Sequence, residues 1–262
     1  MNFTLITGAS KGIGKALAEE FAKEGKHLIL TARSEEALAV LSEQLSETYG
    51  VTVQYYAVDL LKKDAVENLY EWCCVNKFMV NVLVNNAGFG QYGRFEEVAL
   101  EDYMDMIHLN QNVLINMCYT FLPMLKEVPR AHILNISSIT ANIPSPFLAV
   151  YAGTKSFVLQ FSRALRQELV KTNINVTCSC PGVTNTSFYE RAGFLDKQED
   201  FKNMQMSPEL VAKITVDKLY RHQAVVVPGM TNKIGVFISK LLPAGMMAGL
   251  VGYALKPKKG RG

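Results

Sequence analysis

Short apolar runs alternate with segments of helical spacing from the first residues onward, and this alternation leaves few architectures open. NFTLIT, HLILTA, VTVQYYAV, VNVLVN, AHILNIS, INVTCSC and AVVVP read as strands. Most are continuously apolar, the pattern of parallel strands covered on both faces. Between them KALAEEFAKEG, SEEALAVLSEQLSETYG and KKDAVENLYEWCCVNK read as helices, as do Leu100 to Lys126, Val150 to Lys171 and Pro208 to Tyr220. Ser34 is placed to cap the second helix and Gly50 to end it. Repeated βαβ units with right-handed crossovers predict an α/β fold. It is one doubly wound domain over residues 1–229, with a mostly parallel seven-stranded sheet and helices on both faces. Residues 230–262 form an apolar and basic extension.

Composition narrows the function. Hydrophobic residues make up 49% and charged residues 19%, as in a compact globular chain. A net charge of +3 is too small to argue for nucleic acid as a partner. The five cysteines are odd in number and lack disulfide spacing, so they read as reduced side chains of a cytoplasmic protein. No leader is expected ahead of the first strand. The four histidines show no metal-ligand spacing, and no metal is expected.

Between the first strand and first helix lies Thr7-Gly8-Ala9-Ser10-Lys11-Gly12-Ile13-Gly14. Gly8 permits a tight turn, Gly12 lets backbone approach a pyrophosphate, and Gly14 lets the helix pack on the sheet. The helix N-terminus then offers free N–H groups to an anion. This strand-turn-helix setting predicts a dinucleotide site, although a glycine-rich turn without a ligand has the same composition. Strand two ends Thr31-Ala32-Arg33, with no carboxylate for a ribose 2′-hydroxyl. Arg33 and Lys11 suit a 2′-phosphate, hence NADP(H), unless both are ordinary surface charges. Asp59, followed by Leu60, ends strand three. It is placed to meet the adenine amino group, to cap the next helix, or both.

A second cluster lies in NISSITANIPSPFLAVYAGTKSF: Ser138, Tyr151 and Lys155. On a helix starting near Val150, Tyr151 and Lys155 share one face, a turn apart. An ammonium beside a phenol favours phenolate, so Lys155 is expected to lower the Tyr151 pKa toward neutrality. Such a tyrosine serves as acid or base near neutral pH. Y-x-x-x-K alone also describes many solvated helix faces.

Taken together, TGASKGIG (7–14), NNAG (85–88), Asn110, Ser138, YAGTK (151–155) and PGVTNT (181–186) resemble the short-chain dehydrogenase/reductase family in order and spacing. The resemblance covers residues 1 to about 190 and implies a Rossmann-type fold. Within the family the chain looks most like broad ketone, 3-oxoacyl and 17β-hydroxysteroid-type reductases. The resemblance implies Tyr151 as the general acid or base, and Lys155 as the group that tunes Tyr151 and binds the nicotinamide ribose. It implies Ser138 as the donor to the substrate carbonyl and Asn110 as the anchor of a proton relay. Asn86, Ala87 and Gly88 would line the adenosine side. Pro181, Gly182 and Val183 would meet the nicotinamide, and Thr186 its amide or the pyrophosphate. One departure is Ala141-Asn142, where a glycine is common in the family.

These features predict an NADPH-dependent oxidoreductase reducing a bulky or acyl-chain ketone to a secondary alcohol. The contrasting readings are an NADP(H)-binding sensor or scaffold without turnover, and a membrane-associated reductase of lipid ketones. Phe188, Tyr189, Phe194, Leu195 and Phe201 in a lid at about 186–207, with Ile143, Pro144, Pro146, Phe147 and Leu148, suggest either an apolar pocket or plain loop packing. The apolar run Leu241 to Leu255 is short for a membrane span. The extension reads as packing over the pocket or at a subunit interface, with peripheral contact at an anionic membrane as the alternative. Leu100–Lys126 and Val150–Lys171 carry wide apolar faces; the family resemblance implies that they pair in a homodimer or homotetramer, while burial within one subunit is the other reading.

Overall fold

The computed structural model describes residues 1–186, 192–193, 201 and 204–257. The strands are β1 (Asn2–Thr7), β2 (His27–Ala32), β3 (Val53–Ala57), β4 (Met79–Asn85), β5 (Ala131–Ile136), β6 (Ile174–Ser179) and β7 (Val225–Val226). They form one sheet in the order β3-β2-β1-β4-β5-β6-β7. Every pairing between them is parallel. The central strands are apolar on both faces because both faces are covered: Leu5, Ile6, Leu28, Ile29, Leu83 and Val84 are fully buried.

The helices are α1 (Gly12–Lys23), α2 (Glu35–Tyr49), α3 (Ala65–Val75), α4 (Leu100–Ile107), α5 (Val113–Glu127), α6 (Ala149–Glu168), α7 (Pro208–Tyr220), α8 (Met230–Leu241) and α9 (Ala244–Leu255). Two cores result, one on each side of the sheet. Phe21 of α1, Leu38 of α2 and Leu219 of α7 meet one face. Leu69 of α3, Phe121 of α5 and Val158 of α6 meet the other.

Local signals explain the element ends. The Ser34 side chain accepts from Ala37 N and opens α2, and Gly50 closes it in the left-handed region at φ 65°. The Ser207 side chain opens α7 in the same way. The single helix expected from Leu100 to Lys126 is instead two α-helical segments joined by a π turn at His108–Asn112. Such turns insert a residue into the helical ladder and occur often at functional sites.

The strand order reverses between β1 and β4. In a parallel sheet this leaves a crevice beyond the strand ends, where no crossover covers it.

Candidate active site

The glycine turn stands at that crevice. Gly8 and Gly12 have φ of 66° and 58°, which favour glycine. A Cβ on Gly14 would run into the Gly8 carbonyl and the Asn86 amide, so this contact between helix and strand needs glycine. Asn86 Nδ2 donates to Thr7 O at 2.9 Å and Gly8 O at 3.2 Å. Thr7 Oγ1 accepts from Asn86 N and Ala87 N, both at 2.9 Å. The NNAG segment thus pins the turn from behind. Thr7 is a residue whose role the sequence reading missed, since its partners lie nearly 80 residues away. At the start of α1 there is neither a side-chain cap nor an acid in the first turn, unlike α2 and α7. Its first amides and dipole therefore meet the crevice without a competing carboxylate, which fits an anionic pyrophosphate.

The second cluster arrives on α6. Asn85 Nδ2 donates to Asn135 Oδ1, and Asn135 Nδ2 to Ser162 Oγ, both at 2.9 Å. Ser137 Oγ donates to the Lys155 carbonyl at 2.7 Å. This buried polar ladder ties β4, β5 and α6 together and fixes the register in which α6 presents its side chains. Tyr151 and Lys155 then face the cleft, buried, with Ser138 opposite.

Lys155 Nζ donates to Ile136 O at 3.1 Å. Burial lowers its pKa from 10.5 to about 8. Burial also raises the Tyr151 pKa from 10.0 to about 12, against a hydrogen bond with Ser138 that lowers it. The expectation of a phenol tuned toward neutrality is therefore corrected. Burial moves the phenol in the direction opposite to that expected from the spacing, and it lowers the Lys155 ammonium only to about 8, which leaves it charged near neutrality.

Asn110 sits in the π turn. Its Oδ1 accepts from Phe89 N at 3.1 Å, and its Nδ2 donates to Phe89 O at 2.9 Å and to Thr154 Oγ1 at 3.0 Å. A Cβ on Gly88 would lie 2.8 Å from Asn110 Oδ1 and 3.4 Å from Lys155 Nζ. Glycine is thus needed where Asn110 and Lys155 converge. Thr154 completes this cluster by donating to Tyr151 O at 2.8 Å, and the sequence reading had not singled it out.

One cleft of about 720 Å³ joins both clusters. Gly8, Ser10, Lys11, Gly12, Ile13 and Gly14 line one end, with Arg33, Asp59 and Leu60 beside them. Asn86, Ala87 and Gly88 lie in the middle; Ser138, Tyr151, Lys155, Pro181, Gly182, Val183 and Thr186 line the remainder. Of the expected catalytic and cofactor-binding residues, Asn110 alone lies off the cleft wall. Asp59 Oδ1 accepts from Leu61 N at 3.1 Å, and α3 begins only at Ala65. Asp59 therefore closes a local turn instead of capping that helix.

On the substrate side, Ile143, Leu148, Phe201 and Met204 line the cleft. Pro144, Pro146 and Phe147 do not; Pro146 instead packs under Gly252 of α9. Phe188, Tyr189, Phe194 and Leu195 lie outside the described residues. Val251, Ala254 and Leu255 of α9 supply a wall, and Tyr92 Oη holds Leu255 O at 2.6 Å.

The short chain dehydrogenase family model matches residues 2–193, which contain the glycine turn, Asn110 and the Ser138–Tyr151–Lys155 cluster. The chain belongs to this family. Its relatives carry the names of reductases and dehydrogenases. A very-long-chain 3-oxoacyl-CoA reductase of Laccaria bicolor is 34% identical, over 66% of this chain and 52% of that protein. This chain thus spans about half the length of that relative. Sulfoacetaldehyde reductase 2 of Chromohalobacter salexigens is 38% identical, over 71% of this chain and 74% of that one. A short-chain dehydrogenase from Sphingobium yanoikuyae in complex with NADPH superposes with a TM-score of 0.81 at 27% identity, covering 100% of this chain and 98% of that one. A family member from Burkholderia phymatum in complex with NAD reaches 0.83 at 22% identity, covering 90% and 92%.

Proposed function

We propose that this dehydrogenase reduces an apolar ketone to a secondary alcohol with NADPH. One observation carries the reading: Ser138, Tyr151 and Lys155 are buried together in the cleft that begins at the glycine turn. The glycine turn and the cleft residues would hold the dinucleotide, whose nicotinamide would supply the hydride for the carbonyl carbon. Tyr151 gives its phenolic proton to the carbonyl oxygen, and Ser138 holds that oxygen with a hydrogen bond. A phenol held protonated by burial is fit to act as an acid across the neutral range. Lys155 offsets the negative charge that forms on Tyr151, and Asn110 fixes the floor beneath Lys155. Protons return from solvent through this cluster.

Arg33 and Lys11, with Ala32 in place of an acid, support NADP(H) over NAD(H). Thr186 lies 3.2 Å from where a Cβ on Gly12 would stand, which supports a role at the pyrophosphate. Pro181, Gly182 and Val183 would hold the nicotinamide end, and Asp59 and Leu60 the adenine end, of a dinucleotide in the cleft they line. The substrate side is lined by Ile143, Leu148, Val251 and Leu255, which favours bulky or acyl-chain ketones. Outward apolar side chains Ile115 and Tyr119 of α5 support a homodimer or homotetramer.

A panel of ketones assayed by loss of NADPH absorbance tests the reading. Turnover of apolar ketones is expected. Tight NADPH binding with no ketone or alcohol turned over would replace it with a cofactor-binding sensor or scaffold.

A further inference from the structure

We propose that α8 and α9 dock on an anionic membrane surface and open the substrate end of the cleft to apolar ketones dissolved in the bilayer. The docking half stands by itself; the delivery half rests on the ketone reductase reading.

A helix on a globular surface ordinarily turns its apolar stripe inward. In α8 the inward face is Asn232, Val236 and Ser239, the last donating to Val236 O at 2.8 Å. The outward face is Ile234, Phe237, Ile238 and Leu241, spaced three and four apart and 44–67% exposed. In α9, Met247 and Leu255 point in, while Met246, Leu250 and Tyr253 point out at 55%, 58% and 88% exposure. Seven large apolar side chains thus face outward within two consecutive helices. Isolated exposed apolar residues need no explanation, but residues spaced three and four apart on one helix, as in α8 and again in α9, form a continuous stripe that marks a contact surface.

Charge identifies the occupant. From Gly229 to Gly262 there is no Asp or Glu, while Lys233, Lys240, Lys256, Lys258, Lys259 and Arg261 are all basic. Lys233 and Lys240 are exposed, seven residues apart, and so flank the α8 stripe on one side. An apolar stripe with basic flanks suits the boundary between acyl chains and anionic headgroups. A second copy of the same surface suits it less. A two-fold contact would face cations with cations, and the segment holds no acid to pair them. Among the described residues no helix is long and apolar enough to cross a membrane, so the contact is interfacial.

The surface adjoins the substrate. Val251, Ala254 and Leu255 wall the cleft, while Leu250 and Tyr253, their chain neighbours, face outward. Gly252 between them packs closely on Pro146, where a Cβ would lie 3.1 Å from Pro146 Cγ. One helix therefore separates the cleft from the proposed lipid surface.

Flotation of the full chain with vesicles tests this. Phosphatidylglycerol vesicles are expected to carry the protein, with binding about tenfold weaker on phosphatidylcholine and reduced by salt. Phe237→Ser/Leu250→Ser/Tyr253→Ser, and separately Lys233→Glu/Lys240→Glu, should abolish flotation while thermal melting and turnover of a small soluble ketone stay unchanged. The first variant should also lose about tenfold in turnover of a long-chain ketone carried in vesicles. Absence of flotation by the unmodified protein would overturn docking, as would undiminished flotation of the variants. A self-association that the triple variant abolishes, without lipid binding, would assign the surface to a second copy and overturn the proposal. Flotation with no ketone turned over by any form would leave docking standing and overturn only delivery and the reductase reading.

Discussion

Lys155 Nζ lies 5.7 Å from the centre of the Tyr151 ring and donates to the Ile136 carbonyl at 3.1 Å. The two groups share one buried wall, and burial works on them in opposite senses. It holds Tyr151 protonated up to about 12 and releases the Lys155 proton at about 8. The acid therefore outlasts the cation. Ketone reduction is expected to be flat near neutrality and to fall as pH rises past about 8, where Lys155 loses its charge. A kcat/KM profile against pH checks this, and Lys155→Met should remove that limb along with most activity.

Tyr151→Phe deletes the phenolic proton and little else. Turnover should fall about 10²- to 10⁴-fold while NADPH affinity, measured by fluorescence titration, stays within about twofold. Near-normal turnover would remove Tyr151 from the acid role.

Arg33→Ala removes the exposed cation at the end of β2. A charge-assisted hydrogen bond to a 2′-phosphate is worth about 1.5–3 kcal/mol, so the NADPH KM should rise about 10- to 100-fold. The NADH KM should hardly move. Equal changes for both cofactors would place the 2′-phosphate elsewhere.

Much of this site is readable along the chain because it is local. The glycine turn, the Ser34 cap and the Tyr151–Lys155 spacing each depend on residues within one or two turns, and the parallel sheet follows from continuous apolar runs. What escaped depends on long-range packing. Burial of Tyr151 and Lys155 is a property of the assembled cleft, so the sign of the phenol shift could not be read from their spacing. The π turn at Asn110 arises where that side chain reaches across to Phe89 and Thr154. The α9 wall depends on a chain reversal that places Leu255 beside Tyr92, 163 residues away.

Gly182 and Asn232 form one such distant contact. A Cβ on Gly182 would overlap the Asn232 side chain, which is itself anchored to Pro228 O at 2.8 Å. Gly182→Ala should cost about 1–3 kcal/mol by overpacking and distort the wall beside Val183. Asn232→Ala should cost about 1 kcal/mol through its lost hydrogen bond. The double variant should be more stable than the sum of the two costs implies, because Asn232→Ala removes the side chain that the new Cβ would overlap. Urea unfolding of the four proteins reads the coupling, and strict additivity would show that the contact is absent.

His132 supplies a test of stability against pH. Its ring stacks on His222 at 5.4 Å and meets Tyr220 edge-on at 5.4 Å. Burial lowers its pKa from 6.5 to about 4, aided by His222, Arg130 and Lys26. Between those values the unfolded chain holds a proton that the folded chain refuses, so stability drops as pH falls from 6.5 toward 4. The shift corresponds to about 2 kcal/mol lost between pH 7.5 and 5. Nδ1 is also buried with no hydrogen-bond partner among the described residues, so a carbocyclic ring of similar shape removes an unmet need. His132→Phe should keep the stack, equal or exceed the parent at pH 7.5, and lose about 2 kcal/mol less on going to pH 5. Urea unfolding at the two pH values measures the difference, and parallel losses in both proteins would show that His132 does not govern acid sensitivity.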